Sequence, residues 1–338
     1  MQVGIDALSH CPEPLFLIAA AGFEDRTPRG LQLMSENQIA LAGCLILTYP
    51  GDEHLRSLNE MTSVARDIVA APGDLAFEPT SNLSAIEARI DQIPADYLIV
   101  IDITGVARHP MLRLLSAISD KGRRFWLIYT EAEEYYPTQQ DLNDMLGDHC
   151  LDEGDIGEAF FKLAEYEEAD LVYSANCIVE EVETFPGRHL PNYPLLLIAF
   201  LTFKRSRLSA VLREYEASSR ILIEGLPERA DLAWRKKAME IINFDLFEEF
   251  RKSVETLNTL AWRDTRDRLE RFYTDDANCF RYNILLAPLG SKMQTVGAWA
   301  FARRHSEIKL ITSTPLRHFP EKYSAGWRDT FVIDDLDA

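Results

Sequence analysis

Apolar residues along this chain gather into short runs, and the stretches between the runs have helical spacing. The runs at 15–20, 44–48, 97–103 and 124–130 contain few polar residues. Runs of that length, bounded by turn residues, predict strands buried on both faces, as in a parallel sheet. Helices are expected over 28–42, 53–69, 83–92 and 111–121, with Pro110 suited to an early helical position. The alternation then starts again, with strands expected at 195–201, 220–224, 282–287 and 309–313. Residues 151–192 read as a connecting insertion, helical over 155–169 and a strand or hairpin arm over 170–183. Residues 228–273 carry Leu, Ile, Phe and Trp at helical spacing among many charges, and predict two helices interrupted near Asn243. A final edge strand is expected in the tail, near Val332.

The second half repeats the first. Pro14-Leu-Phe-Leu-Ile-Ala-Ala-Ala-Gly-Phe23 returns as Pro194-Leu-Leu-Leu-Ile-Ala-Phe-Leu-Thr-Phe203, with six of ten positions identical. Asp102-Ile-Thr-Gly105 lines up with Ala287-Pro-Leu-Gly290, and the run from Phe125 to Thr130 lines up with that from Ile308 to Ser313. Three segments in register predict an internal duplication. The expected fold is α/β, two tandem Rossmann-like units with mostly parallel sheets. The first unit would span 1–150, the insertion 151–192, and the second unit 193–338 with a helical insertion at 228–273. A crevice between two such units is the default ligand site.

Composition narrows the partners. The 338 residues suffice for two domains, and 47% hydrophobic with 26% charged residues is ordinary for a globular chain. A net charge of −19 argues against extended nucleic acid, which needs a basic surface, while leaving room for a local anion pocket. The most apolar run, 195–203, is only strand-length, so no membrane span is expected. No secretion signal is visible at the start, and the five scattered cysteines lack metal-ligand spacing. A cytoplasmic protein with reduced thiols, no metal and no cofactor is the expectation.

Four strand ends carry candidate chemistry, because ligands of open α/β sheets bind where strands end and helices begin. After the first strand, Gly22 permits a tight turn; Asp25, Arg26 and Arg29 follow, to meet an anion or to cap the helix. After the third, Asp102, Thr104, Gly105 and Arg108 form either a ligand loop or a fixed turn, with Asp102 placed for a ribose hydroxyl or as a base. The sharpest candidate is Gly290-Ser-Lys292 with Thr295: glycine for close approach, Ser291 and helical amides as donors, and Lys292 as a point charge at a helix N-terminus. The complete phosphate-loop spacing is absent, so a nucleotide hydrolase of that class is not indicated. Ser313, Arg317 and Tyr323 follow the last strand, suited to phosphate and base or to turn chemistry. His109 and His318 lie in these loops at comparable places in the two halves.

At these loops the chain resembles CRISPR-associated Rossmann-fold sensor domains, which carry a polar loop after the first strand and later a Thr-Gly-Gly-Thr-Lys-type turn before a helix. Asp102-Ile-Thr-Gly105 with Met111, and Gly290-Ser-Lys292-Met293, look like two altered copies of that turn. The first copy has Arg108 where a lysine would follow the Thr-Gly turn, and no attached nuclease or winged helix is evident. The resemblance implies a dimeric or pseudo-dimeric receptor for a cyclic or linear oligonucleotide messenger in antiviral defence. A sensor of an anionic, nucleotide-like small molecule is therefore expected, with Lys292, Arg108, Arg26 and Arg317 on phosphate and Gly290, Ser291 and Gly105 supplying backbone. A protein partner would use 228–273. The alternatives are a transferase or hydrolase in the same crevice, with Asp102 or Asp25 as base, and a non-catalytic scaffold subunit.

Overall fold

The computed structural model describes residues 2–147, 155–165, 177–250, 254–274, 278–316, 319–334 and 336. The chain starts with β1 (Gln2–Val3), β2 (Leu15–Ala20), α1 (Arg29–Glu36), β3 (Gly43–Thr48), α2 (Leu55–Ile68), β4 (Leu75–Pro79), α3 (Leu83–Gln92), β5 (Leu98–Asp102), α4 (Arg108–Asp120), β6 (Phe125–Thr130) and β7 (Glu134–Tyr135). It continues through α5 (Gln139–Leu146), α6 (Ile156–Glu165), β8 (Cys177–Pro186), β9 (Leu195–Phe200), α7 (Arg205–Glu214), β10 (Ser219–Leu226), α8 (Arg235–Ile242), α9 (Phe244–Phe250), β11 (Val254–Asn258) and α10 (Trp262–Thr274). It closes with α11 (Asn278–Arg281), β12 (Asn283–Ala287), α12 (Lys292–Ala302), β13 (Lys309–Pro315), β14 (Ser324–Ala325) and β15 (Thr330–Ile333).

These elements form two Rossmann-like units. The first comprises Met1–Tyr136 and Phe319–Ala338, the second Pro137–His318. In the first, the sheet order is β1-β15-β6-β5-β2-β3-β4. Strands β2 to β6 run parallel, and β15 and β1 add antiparallel. In the second, the order is β11-β10-β9-β12-β13-β8, parallel except for β8. The registers match across the repeat. Leu15 pairs with Leu98 as Leu195 pairs with Asn283, and Val100 pairs with Trp126 as Leu285 pairs with Lys309. These are the residue equivalences that the repeated segments predict.

Continuous apolar runs suit these strands because helices cover both faces. All five residues of β5 are buried. In the first unit Leu31 and Met34 of α1 and Met61 and Ala65 of α2 pack on Leu17, Ala19, Cys44 and Ile46. In the second, Leu208 and Val211 of α7, Met239 of α8 and Leu246 of α9 pack on Leu197, Ala199, Leu222 and Leu285. Each fully buried Leu, Ile or Met side chain contributes about 1.5–3 kcal/mol relative to exposure. Helix α12 is buried from Met293 to Ala302 and apolar on most of its circumference, as a core helix should be. It meets α10 closely: a β-carbon on Gly297 would lie 2.4 Å from the Trp262 carbonyl oxygen.

Four expectations need correcting. The unit boundaries shift, because the tail strand β15 pairs with β6 of the first sheet, Thr330 opposite Thr130. That strand is not the outer one, since β1 pairs beyond it. Residues 151–192 are not a mere connection: β8 is the antiparallel edge of the second sheet on β13. Residues 228–273 are not purely helical, because β11 lies within them and pairs with β10. Among the described residues no helix is long and apolar enough to cross a membrane.

Candidate functional site

In this topology the chain departs to opposite sides of the sheet after β2 in the first unit and after β9 in the second. The carboxyl ends of β2 and β5, and of β9 and β12, are therefore the two positions where such sheets take ligands.

In the first unit that position is filled by the protein itself. A β-carbon on Gly105 would lie 2.0 Å from the Ala20 carbonyl oxygen and 2.7 Å from Cγ2 of Thr27, and one on Gly22 would lie 2.9 Å from the Gly105 carbonyl oxygen. The two loops thus touch backbone to backbone. Asp102 is 2% exposed, and its Oδ1 accepts the Thr104 N–H at 2.9 Å. Its Oδ2 lies against Gly30 in the first turn of α1. Thr104 Oγ1 accepts the Thr130 N–H at 2.9 Å. Asp102 and Thr104 are thereby fixed as turn and strand-end supports.

Arg26 is likewise committed inward. It is 4% exposed, donates from Nη1 to the Thr130 carbonyl at 2.8 Å and to the Tyr129 hydroxyl at 3.1 Å, and meets Glu24 Oε2 through Nη2 at 2.8 Å. Burial disfavours its charge, but Glu24 and the two neighbouring tyrosines hold its pKa above the ordinary value. Ser324 donates to the same Glu24 oxygen. Asp25 is exposed and pairs with Arg56 at 3.1 Å, and Arg29 pairs with Glu36 at 2.7 Å. Arg108 opens α4.

Around these residues lies an aromatic group. Tyr323 meets Phe23 edge-on at 4.8 Å, and His54 stacks on Tyr49 at 5.0 Å. The Tyr49 hydroxyl accepts the Ala107 N–H at 2.7 Å. His54 Nδ1 lies 3.1 Å from the Ala21 carbonyl, which calls for a proton on that nitrogen. Burial pushes the His54 pKa down, against Glu53 and that hydrogen bond. Because the folded pKa is depressed, the neutral ring's contribution to stability is complete above the unfolded value of about 6.5 and fades as pH falls through the folded pKa. We expect His54 to titrate below about 6.5 in a proton NMR titration; a midpoint above that value would contradict its buried, proton-donating environment.

In the second unit the equivalent position is built differently. Ser291 caps α12: its Oγ accepts the Gln294 N–H at 3.0 Å, and Gln294 Oε1 accepts the Ser291 N–H at 3.0 Å. This reciprocal pair is a capping box. Lys292 is the first helical residue, half-buried. Thr295 is fully buried, its Oγ1 donating to the Ser291 carbonyl at 2.9 Å, so it supports the turn from behind. Gly290 is required for closeness: a β-carbon there would lie 2.3 Å from Gln294 Oε1. Gly225, near the end of β10, also borders this carboxamide: a β-carbon there would lie 3.0 Å from Oε1 and 3.2 Å from Nε2. Gln294 is 1% exposed, and its Nε2 has no hydrogen-bond partner among the described residues. The structure therefore brings Gly290, Ser291 and Lys292 together with a donor that the sequence did not single out.

Glu224, one residue before Gly225, was also not singled out. It is 2% exposed; Oε2 accepts from Thr256 Oγ1 at 3.1 Å, and Oε1 has no partner among the described residues. Burial raises its pKa, reinforced by Glu240 and opposed by Thr256 and Lys236. Ser313, at the end of β13, is 4% exposed with an unpartnered Oγ. Arg317 and His318 lie outside the described residues. No group of three or more potential metal ligands occurs among the described residues.

No protein-family model and no curated protein matches the chain. Among solved structures, a type III CRISPR defence DNA nuclease activated by cyclic oligoadenylate matches with a TM-score of 0.49 at 12% identity, covering 88% of this chain. The chain spans 65% of that protein's length. The cytoplasmic domain of a prokaryotic cation chloride cotransporter matches with a TM-score of 0.24 at 9% identity, covering 90% of this chain and 96% of that one. At these values neither likeness bears on function. The class is set by the topology alone: an α/β protein of two Rossmann-like units.

Proposed function

We propose that the second unit binds an anionic, nucleotide-like small molecule at the carboxyl ends of β9 and β12, and that the protein acts as its sensor. The observation that carries this is Gln294, a buried carboxamide at the first turn of α12 with an unused donor. A buried donor without a partner costs about 1–3 kcal/mol, so a ligand oxygen that satisfies it gains that much. The surrounding chemistry suits an anion. The first-turn amides and the dipole of α12 favour negative charge, and Lys292 adds a cation at the same end. The two close glycines leave no side chain between ligand and backbone.

Within this assignment the ligand is an oligonucleotide messenger, linear or cyclic, of an antiviral defence system, and α8 to α10 offer the surface for a protein partner. The test is thermal unfolding against nucleotides and cyclic oligonucleotides, cyclic oligoadenylate among them. A ligand at ten to a hundred times its dissociation constant stabilises by about 1.4–2.7 kcal/mol, which raises the midpoint by a few degrees in a chain of this size. Lys292→Ala and Gln294→Leu are expected to remove that shift while leaving the ligand-free midpoint within a few degrees of the parent. A shift retained in both variants contradicts the site. Mass analysis of the recovered ligand separates a sensor, which returns it unchanged, from an enzyme.

A further inference from the structure

The second unit buries an acid beside its candidate site, at a position where the first unit has a neutral residue. Ile223 pairs with Phe200 as Leu47 pairs with Ala20, so Glu224 takes the place that Thr48 holds in the first unit. Thr256 stands opposite Glu224 as Pro79 stands opposite Thr48. Thr48 is half-buried, whereas Glu224 is 2% exposed. Glu224 Oε2 accepts one hydroxyl, from Thr256 at 3.1 Å, and Oε1 has no partner among the described residues. An ionised carboxylate in that setting is poorly compensated, because a buried charge needs a counter-charge or several donors.

The charges around Glu224 do not supply that compensation. Burial makes it hold its proton more firmly than an ordinary glutamate; Thr256 and Lys236 of α8 oppose this, and Glu240 of α8 reinforces it. Lys236 is exposed. Arg235 of α8 donates to the Pro137 carbonyl, Asp245 and Glu249 of α9 meet Arg205 and Arg220, and Glu255 of β11 meets Arg268. Lys237 of α8 is half-buried, and Glu248 of α9 is exposed. Strand β9 carries no ionisable side chain.

The acid also adjoins the place where an anion would sit. Its neighbour in the chain, Gly225, borders the Gln294 carboxamide, where a β-carbon on the glycine would lie 3.0 Å from Oε1. Charges in a buried setting are screened far less than on the surface. A negative Glu224 therefore opposes a negative ligand at the first turn of α12, and a proton on Glu224 removes the opposition. Linkage makes the effect reciprocal: an anionic ligand tightens the hold of Glu224 on its proton.

We propose that Glu224 is a proton-operated control on the α12 site: neutral, it admits the anionic ligand, and ionised, it weakens binding. The proton then acts as a second ligand, and the sensor answers lower concentrations of its anion as pH falls. This rests on the proposed function, since it needs the α12 site to take an anion.

The first arm of the test is urea unfolding of the ligand-free full chain, parent against Glu224→Gln. Glutamine has the shape of the neutral acid, so the variant keeps the fold. Because the folded pKa is raised, the neutral acid's contribution to stability is complete below the unfolded value of about 4.5 and is lost as pH rises through the folded value. The two proteins should therefore unfold together at about pH 5, and the variant at higher urea at about pH 8. The second arm is calorimetric titration with cyclic oligoadenylate at the same two pH values and fixed ionic strength; phosphodiesters keep their charge throughout, so any pH dependence belongs to the protein. The parent should bind about fivefold more weakly at the higher pH, and Glu224→Gln should lose that dependence. Proton uptake by the parent on binding, read from heats in buffers of different ionisation enthalpy, should vanish in the variant. Unfolding curves that coincide at every pH, a parent affinity that does not change with pH, or a dependence that survives in Glu224→Gln overturns the control and leaves the proposed function standing. If the parent does not bind cyclic oligoadenylate at either pH, the control is overturned together with the assignment of that ligand.

Discussion

Replacing Glu24 with alanine should lower the stability of the protein by about 3 kcal/mol, because it leaves a buried guanidinium without its counter-charge. Arg26 is 4% exposed and makes two of its contacts with Glu24, through Nε at 3.1 Å and Nη2 at 2.8 Å. The Thr130 carbonyl and Tyr129 hydroxyl remain in the variant, but both are neutral and cannot balance the charge. Removing one partner of a buried ion pair costs about 3–5 kcal/mol, whereas replacing both partners by apolar groups of similar volume is often neutral. The surviving neutral partners put Glu24→Ala at the low end of that range. The double variant Glu24→Leu/Arg26→Met should therefore be more stable than Glu24→Ala. Urea unfolding of the three proteins measures this, and a loss under about 1 kcal/mol in Glu24→Ala, the value of a surface pair, would contradict the internal role given to Arg26.

Gly105→Ala should cost at least as much. Its β-carbon would sit 2.0 Å from the carbonyl oxygen of Ala20 and 2.7 Å from Thr27 Cγ2. The first of these is backbone at the end of a central strand, so relief requires the whole loop after β5 to move. Overpacking of a rigid site costs about 1–3 kcal/mol and occasionally more, and a clash with immobile backbone belongs at the upper end, near 3 kcal/mol. Gly73→Ala is the control, since a β-carbon there meets nothing within 4 Å. It should be neutral or stabilising by about 0.4–1 kcal/mol through the unfolded chain. Equal effects at the two glycines would show that the loops of β2 and β5 are not in backbone contact.

The parts of the fold that could be read in the sequence are those where burial leaves no polar position. Strands β2, β3, β5, β6, β9 and β12 sit between helical layers and read as apolar runs. The repeat could be read because equivalent strands pair in equivalent registers. The edge strands β4 and β11 were not visible, whereas β8 was anticipated in part by the strand or hairpin arm expected over 170–183. In β4, Leu75-Ala-Phe-Glu-Pro, no residue is fully buried, and the same holds for β11, Val254-Glu-Thr-Leu-Asn. An edge strand bonded on one side has no need of a continuous apolar run, and β11 is further masked by charged helices before and after it. The destination of β15 depends on a pairing with β6 across 200 residues, as in the Thr130–Thr330 hydroxyl contact, and no local pattern encodes it.

At the candidate site the glycines and the Ser-Lys turn were legible because turn chemistry is local. Whether a charge is spent internally was not. Arg26 looks like an anion receptor until the Thr130 carbonyl, 104 residues away, is seen to accept from it. Gln294 resembles an ordinary helical residue until Gly225 and Gly290 close around its carboxamide. The only sequence signal for it was the Ser-x-x-Gln spacing of the capping box, which predicts a helix start and says nothing of an unused donor.

The most direct test of a ligand site in the second unit is amide hydrogen exchange, with and without the nucleotide that gives the largest thermal shift. Slower exchange concentrated in 288–295 and 201–207 is the expected result, with the loops at 22–28 and 103–108 unchanged. Protection confined to the first unit's loops, with 288–295 exchanging as in the free protein, would contradict the account.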